Sequence, residues 1–312
     1  MSGINKTISD LEKSMEKVLD AKRYRHTLGV AYTAASLAMS YGCDVHSAYL
    51  AGLLHDNAKH MTTRQQIEVC QEHGMDPDLL KTKNPEILHA DAGAFLAEDL
   101  YGIHDSNVLN AIRFHTTGRP GMNILEEIIY VADYIEPNRR EPEGIQQIRQ
   151  VAFHNLEQAM VLISKNTIHY LEGKGQNIDP ATRETYDYYI RSNQMNEKAK
   201  KMVQEAILAL EDKKAEDIKI INISEVSVLA DYFIIASGTN KSQIQAMVDG
   251  VEERLGRLGY EKKHAEGYES ANWILLDFSD IIVHVFDKEN RSYYNLERIW
   301  RDGKTVEIEE LK

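Results

Sequence analysis

Four histidines and two aspartates in the first half of the chain are of the types that bind cations. They are His26 in RYRHTLGVA, the adjacent His55-Asp56 in AGLLHDNAKH, His89 in ILHADAG, His115 in IRFHTTGRPG and Asp133 in YVADYIEP. Neutral imidazole binds iron, manganese, zinc or nickel, and a carboxylate can bridge two cations. Six such groups exceed the needs of one tetrahedral ion, so the set points to two metals, which together activate a water and grip phosphate oxygens. Asp133 sits inside the apolar run IIYVADYI, where burial without a partner costs several kcal/mol. A second pair, His104-Asp105, lies in YGIHDSN, where Gly102, Ser106 and Asn107 mark a turn and a helix cap, and reads as surface. His46, His60, His73, His154, His169, His264 and His284 read as ordinary core or surface residues.

The elements that must position these groups are helical. LGVAYTAASLAMSYG, SAYLAGLLHDNAK, AGAFLAEDLYG, ILEEIIYVADYI and IRQVAFHNLEQAMVLISKNTIHYLEG repeat apolar residues at three and four, which predicts an all-α domain over residues 1–191. Each metal-binding type lies in or at the end of one such pattern, so helices distant in sequence can converge on one pocket. After the polar stretch RSNQMNEK the pattern changes. KAKKMVQEAILAL reads as a helix, IKIINI and DYFIIAS as strands, Ile244 to Leu258 as a helix, WILLDF and IIVHVF as a hairpin turning at Ser279-Asp280, and YYNLERIW as a short closing helix. This order predicts a small mixed α/β domain over residues 195–312.

The 312-residue chain is long enough for two cores, and its formal charge of −13 argues against direct DNA binding, which needs clustered Lys and Arg. The opening MSGINKTISDLEKSMEKVLD reads as a charged amphipathic helix, and no apolar run suggests a membrane segment. Cys43 and Cys70, without metal spacing, suggest free thiols and a cytoplasmic setting.

HTLGVA, LLHDNAK, HADAGA, HTTGRPGM and YVADYIEPNRR together resemble the HD-domain phosphohydrolases of the symmetrical bis(5′-nucleosyl)-tetraphosphatase type, over roughly residues 10–190. The resemblance implies a helical fold with two divalent metal ions, iron first and manganese, zinc or nickel as other occupants, and cleavage of diadenosine tetraphosphate into two ADP. It further implies that His26, His55, Asp56 and Asp133 hold one metal, that Asp56, His89 and His115 hold the second, and that Asp56 is the bridge. A polyphosphate also needs donors from the protein. Lys59, one turn after His55 in a continuing helix, Arg119, Arg139 and Arg140 supply charge, and the Thr116 and Thr117 hydroxyls supply further hydrogen bonds. Asp91, two residues after His89, is suited to orienting a ligand. The motif GYP of cyclic-dinucleotide phosphodiesterases is absent, since RPGM follows instead.

LADYFIIASGTNKSQIQAMVDGVEE and EGYESANWILLDFSDIIVHVFDKENRSYYNLERIWRDG resemble the Iojap family, the ribosomal silencing factors. That resemblance implies a nucleotidyltransferase-like sheet that binds the large ribosomal subunit through its protein L fourteen and blocks subunit joining. SGTN at a strand-to-helix turn could suggest a phosphate site, but there is no Walker A, G-x-G-x-x-G or D-x-D pattern, and Thr239 reads as a helix cap. Trp273, Tyr293 and Tyr294 are anchors of the kind interfaces use, and Asp277 would complement a basic ribosomal protein. Two other readings are a nucleotide-sensing ribosomal regulator without turnover and a phosphatase of other nucleotides. Self-association is compatible with all of them.

Overall fold

The structure is a computed structural model that describes residues 7–76, 84–139, 142, 144–224 and 226–308. It divides into two compact units, Met1–Asn193 and Gln194–Lys312.

The first unit is helical. Its elements are α1 (Ile8–Val18), α2 (Ala21–Tyr41), α3 (Val45–Leu54), α4 (Thr63–Glu72), a 3₁₀ turn (Pro85–Ile87), α5 (Leu88–Tyr101), α6 (Ser106–Phe114), α7 (Ile124–Ile135), α8 (Ile145–Ala152), α9 (Leu156–Gly173) and the start of α10 (Pro180–Asp212). The starts are set by side chains that satisfy free backbone N–H groups: Asp20, Asp44, Thr62, Asp105, Asn123 and Asn155 each cap the helix that follows them. The cap in YGIHDSN is thus Asp105 itself, one residue before the expected Ser106. Asn155 also divides the long pattern IRQVAFHNLEQ into two helices, because its side chain bonds the Gln158 N–H at 2.9 Å instead of allowing one continuous turn.

Leu37, Leu53, Leu54, Ile112, Ile128, Ile129 and Met160 are fully buried in one core. α2 and α3 approach closely because Gly52 has no side chain: a Cβ there would lie 2.8 Å from the Ala31 Cα. Two acids in the first turn of α7 are also buried. Arg119 meets Glu126 with two bonds of 2.8 and 2.9 Å. Tyr189 of α10 donates to Glu127 at 2.7 Å and accepts the Met122 N–H at 3.2 Å, tying the loop after α6 to α10.

Burial raises the Glu127 carboxyl, the Tyr189 bond opposes this, and the charges of Glu157 and Glu126 add to the rise, which ends at about 7 against an ordinary 4.5. Between those values the folded chain holds a proton that the unfolded chain has released. Stability is therefore greatest at the acid end of this window and falls as pH rises through it. Glu127→Gln should flatten that dependence and gain on the order of 2 kcal/mol over the parent at pH 8 relative to pH 5. Calorimetric unfolding at the two pH values checks this; an unchanged pH dependence of the midpoint would remove Glu127 as its source.

RSNQMNEK, after which the sequence pattern changes, is helical. It lies within α10, whose 33 residues continue across the division of the two units. The stretch is polar but holds no Gly or Pro, and Arg, Gln, Met, Glu and Lys all favour a helix.

The second unit adds β1 (Glu216–Asn222), β2 (Tyr232–Gly238), α11 (Lys241–Arg257), β3 (His264–Glu266), β4 (Trp273–Asp277), β5 (Ile281–Asp287), α12 (Lys288–Tyr294), α13 (Leu296–Ile299) and β6 (Lys304–Val306). The strands form one sheet in the order β3-β4-β5-β2-β1-β6, with β2 and β5 parallel and the other neighbours antiparallel. Alternation sends Ile234, Ala236, Val283, Val285, Ile274 and Leu276 to a core shared with α11 and the last turns of α10. Phe233, Ile235, Ile282 and Phe286 face the other way, with Leu296 of α13. α11 is capped by Asn240, whose side chain accepts the Gln243 N–H, rather than by Thr239, whose hydroxyl bonds the Gln243 side chain. The closing helix is two short ones, broken at Asn295, which adopts φ of 43°.

Candidate metal centre

Five helices deliver the six metal-binding types to one place. His26 comes from the first turns of α2, His55 and Asp56 follow the last residue of α3, His89 opens α5, His115 follows α6, and Asp133 sits near the end of α7. Asp56 divides them by its two oxygens. Its Oδ2 lies 3.5 Å from the His55 Nε2 and 3.9 Å from the His26 Nε2, while its Oδ1 lies 3.4 Å from the His89 Nε2 and 3.8 Å from the His115 Nε2. Asp133 Oδ1 completes the first group, 3.0 Å from His26 Nε2 and 3.8 Å from His55 Nε2. The atoms of His26, His55 and Asp56, and those of Asp56, His89 and His115, are each close enough together to hold a metal ion.

The imidazoles are oriented for this. His55, His89 and His115 each place Nδ1 on the carbonyl three residues earlier, at Gly52, Glu86 and Ile112, with distances of 2.7, 2.8 and 2.7 Å. The Nδ1–H donates there, so Nε2 keeps its lone pair and points inward. His26 has no such carbonyl and uses the buried carboxylate of Glu136, at 3.0 Å. The buried His55 Nε2 has no hydrogen-bond partner, which fits a lone pair aimed at a cation.

For His89, His115, Asp56 and Asp133 electrostatics favour the same state. Burial drives His89 down to about 3, with neighbouring His115 adding to the fall, and burial together with His55 drives His115 to about 4, so both rings are neutral near neutral pH, the form in which an imidazole can bind a metal. Burial would raise Asp56, but the imidazoles of His55, His89 and His115 outweigh it and hold the carboxyl well below its ordinary range. For Asp133 burial is likewise outweighed, by the Arg139 guanidinium and then by His26 and His55. His26 is pushed down by burial, yet the bonds to Asp133 and Glu136 leave it raised overall.

Of the residues expected to meet a polyphosphate, Lys59, Thr116 and Arg139 reach this cluster. The Lys59 Nζ is 3.1 Å from the His89 Nδ1, and the Thr116 Oγ1 is 3.0 Å from the His115 Nε2. Lys59 arrives there from a run of tight turns after α3, not from a continuing helix. Arg139 pairs with Asp133 at 3.0 Å and lies over the Tyr134 ring. Arg119 is held by Glu126, Thr117 bonds the Gly118 carbonyl, Asp91 is buried with Arg113 at 3.7 Å, and Arg140 lies outside the described residues. Two contributors went unnoticed in the sequence. Arg23, one turn before His26, bonds Asp56 Oδ2 at 2.8 Å, and Glu136 orients His26. The signal for Glu136 was there: an acid just past a helix C-terminus opposes the helix dipole and needs another reason to be present.

In the second unit, Trp273 stacks on Phe286 at 4.9 Å, approaches Tyr294 at 4.8 Å and donates its indole N–H to the buried His284 at 3.2 Å. Tyr293 is 80% exposed, and Asp277 accepts the Ser279 N–H beside the hairpin turn.

Comparison with known proteins agrees with this division. The HD domain matches residues 23–138, which hold all six converging ligand types, and the family described as ribosomal silencing factor during starvation matches residues 196–312. The symmetrical bis(5′-nucleosyl)-tetraphosphatase of Bacillus subtilis (strain 168) is 42% identical over 176 residues, covering 56% of this chain and 94% of its own. The ribosomal silencing factor RsfS of Halalkalibacterium halodurans is 44% identical over 108 residues, covering 35% of this chain and 92% of its own. A crystal structure from Clostridium acetobutylicum, of a protein assigned by prediction as an HD superfamily hydrolase involved in NAD metabolism, is 40% identical. It has a TM-score of 0.57 and covers 60% of this chain and 98% of that one. HD domains bind divalent metals, and the histidine and aspartate groups of this chain suit such ions. The chain belongs to two families at once, the HD-domain symmetrical bis(5′-nucleosyl)-tetraphosphatases through its first unit and the ribosomal silencing factors through its second.

Proposed function

We propose that the first unit hydrolyses diadenosine tetraphosphate at its central bridge to two ADP, and that the second binds the large ribosomal subunit through its protein L fourteen and blocks subunit joining, in the cytoplasm. The observation that carries the first part is the division of the Asp56 carboxylate, one oxygen toward His26 and His55 and the other toward His89 and His115. His26, His55, Asp56 and Asp133 would hold one metal and Asp56, His89 and His115 the other, with iron the proposed occupant of a site of imidazole and carboxylate ligands. Two such ions, when bound, lower the pKa of a water and stabilise charge on phosphate oxygens.

The protein's own groups do the rest. Lys59 and Thr116, beside His89 and His115, donate to the phosphate that leaves. Burial lowers the pKa of Lys59, with Asp56 opposing the fall, so a polyanion close by is what best keeps its proton in place. Arg23 and Arg139 sit at the exposed edge of the cluster, where each can exchange part of its carboxylate pairing for an incoming phosphate. Arg119 stays with Glu126 and serves the loop more than the substrate.

In the second unit, Trp273, Tyr293, Tyr294 and Asp277 are the proposed partner contacts; Trp273 packs on the cluster of Phe233, Ile282 and Phe286, with Tyr294 beside it. An acidic module binding a basic protein should be less sensitive to moderate salt than one gripping the RNA backbone.

The two activities should separate. The fragment 1–191 keeps every proposed metal ligand and Tyr189, and 195–312 keeps the helix face from Ala199 to Leu210 that closes the second core. The first should release ADP from diadenosine tetraphosphate at near the full rate, and the second should co-sediment with large subunits. If either fragment is unfolded alone and rescued by adding the other, the two share a core and the division is wrong.

A further inference from the structure

IIVHVF places a histidine in the middle of an apolar strand. His284 is buried on β5 between Ile282 and Phe286 of the same sheet face, with Ile235 of β2 and Leu275 of β4 across from it. All four neighbours are apolar, so packing alone would be served as well by Phe or Leu. The polar atoms of the ring need a reason to be there.

One of them has a partner. The indole N–H of Trp273 can only donate, and it meets the His284 Nδ1 at 3.2 Å, so Nδ1 keeps its lone pair and the ring proton sits on Nε2. Burial drives the imidazole down to about 4, which keeps this neutral form near neutral pH. The buried Nε2 has no hydrogen-bond partner among the described residues. A buried donor without an acceptor costs stability, so the fold holds His284 at a cost, and the bond to Trp273 is what it gains.

Trp273 joins the core to the surface. From the exposed Tyr293 the rings run through Tyr294 at 5.1 Å and the half-buried Trp273 at 4.8 Å to the buried Phe286 at 4.9 Å. Stacking on Phe286 sets the plane of the indole but not the edge that points inward, because a half-turn about the Cβ–Cγ bond returns the ring to the same plane. The bond to His284 selects the edge.

We propose that His284 is a positioning residue that holds Trp273 in the one orientation in which Trp273, Tyr294 and Tyr293 present a single aromatic surface to a protein partner. The proposal rests on the reading of the second unit as a ribosome-binding module, and it adds a buried residue that touches no partner itself.

The test is the full chain with His284→Phe or His284→Leu, which remove the acceptor, and with His284→Asn, whose amide oxygen can stand in for Nδ1. Three quantities are read: the unfolding midpoint of the second unit by calorimetry, the affinity for purified large ribosomal subunits by co-sedimentation, and the indole N–H resonance of Trp273. That resonance is seen with nitrogen-labelled tryptophan and told from the second indole by Trp300→Phe. His284→Phe and His284→Leu should keep the midpoint at or above that of the parent, weaken binding about tenfold, the size of one lost hydrogen bond, and shift the resonance. His284→Asn should restore both. If the parent binds large subunits and the Phe and Leu variants bind as tightly, the proposal falls and the ribosome-binding reading stands. Binding that falls only in step with the midpoint across the three variants would make His284 a core residue alone and overturn the proposal as well. If the parent does not bind large subunits, that reading falls and the resonance decides the rest: a shift reversed by His284→Asn upholds the hold on Trp273, and no shift removes it.

Discussion

Asp56→Ala should leave the chain without either metal and lower hydrolysis by at least about a thousandfold. The expected effect is this large because one side chain serves both groups of ligands. Its Oδ2 faces His55 and His26, its Oδ1 faces His89 and His115, and no other carboxylate among the described residues lies between them. Removing a ligand from one group only, as in His89→Ala, should spare the ion of His26, His55 and Asp133 and give half the metal content. Folding should survive, since Asp56 contributes polar contacts at the edge of a core built from Leu53, Leu54, Ile112 and Ile128. Metal analysis of the purified variant decides the matter, and normal occupancy would mean that Asp56 is not a shared ligand.

Arg291→Ala should cost the second unit about 1–3 kcal/mol, the usual result of removing a charged donor of several hydrogen bonds when the carboxylates it leaves, Asp217 and Glu297, are partly exposed. Arg291, on α12, is buried and spends its donors on four groups. They are Glu297 at 2.7 and 3.0 Å, the Asp217 carboxylate at 3.1 Å, the Ser237 hydroxyl at 3.0 Å and the Asp217 carbonyl. These join α12 and the following α13 to the starts and ends of β1 and β2, and they hold Asp217 at φ of 49°, a strained value for an aspartate. Lysine should not rescue the loss, because a point charge cannot reach four acceptors with a planar fork. In calorimetry the transition of the second unit should fall while hydrolysis by the first is unaffected. Equal loss of both would contradict the independence of the two units.

The sequence exposed the ligands through their types and contexts. A histidine next to an aspartate after LAGLL, and an aspartate inside IIYVA, are costly unless something pairs with them, and that cost is visible without a fold. It did not expose Arg23 or Glu136, which carry no motif and reach the cluster only when the helices pack. The central strands showed in IKIINI, DYFIIAS, WILLDF and IIVHVF because alternation there is apolar. β3 and β6 did not: each has three residues, mostly exposed and polar, and owes its extended form to pairing with β4 and β1. The helix that runs through RSNQMNEK was not legible for a related reason. A polar stretch without apolar period is what a linker looks like, and also what the exposed part of a long helix looks like, so RSNQMNEK could be either until α10 was traced through it.

The most direct measurement is chromatography of the products formed from diadenosine tetraphosphate by the metal-loaded full chain, with Asp56→Ala as the control. A centre that places water on a phosphorus beside the central bridge yields ADP alone, two molecules for each substrate consumed, and none with the variant. AMP and ATP in equal amounts, or ADP formation that survives Asp56→Ala, would contradict the account.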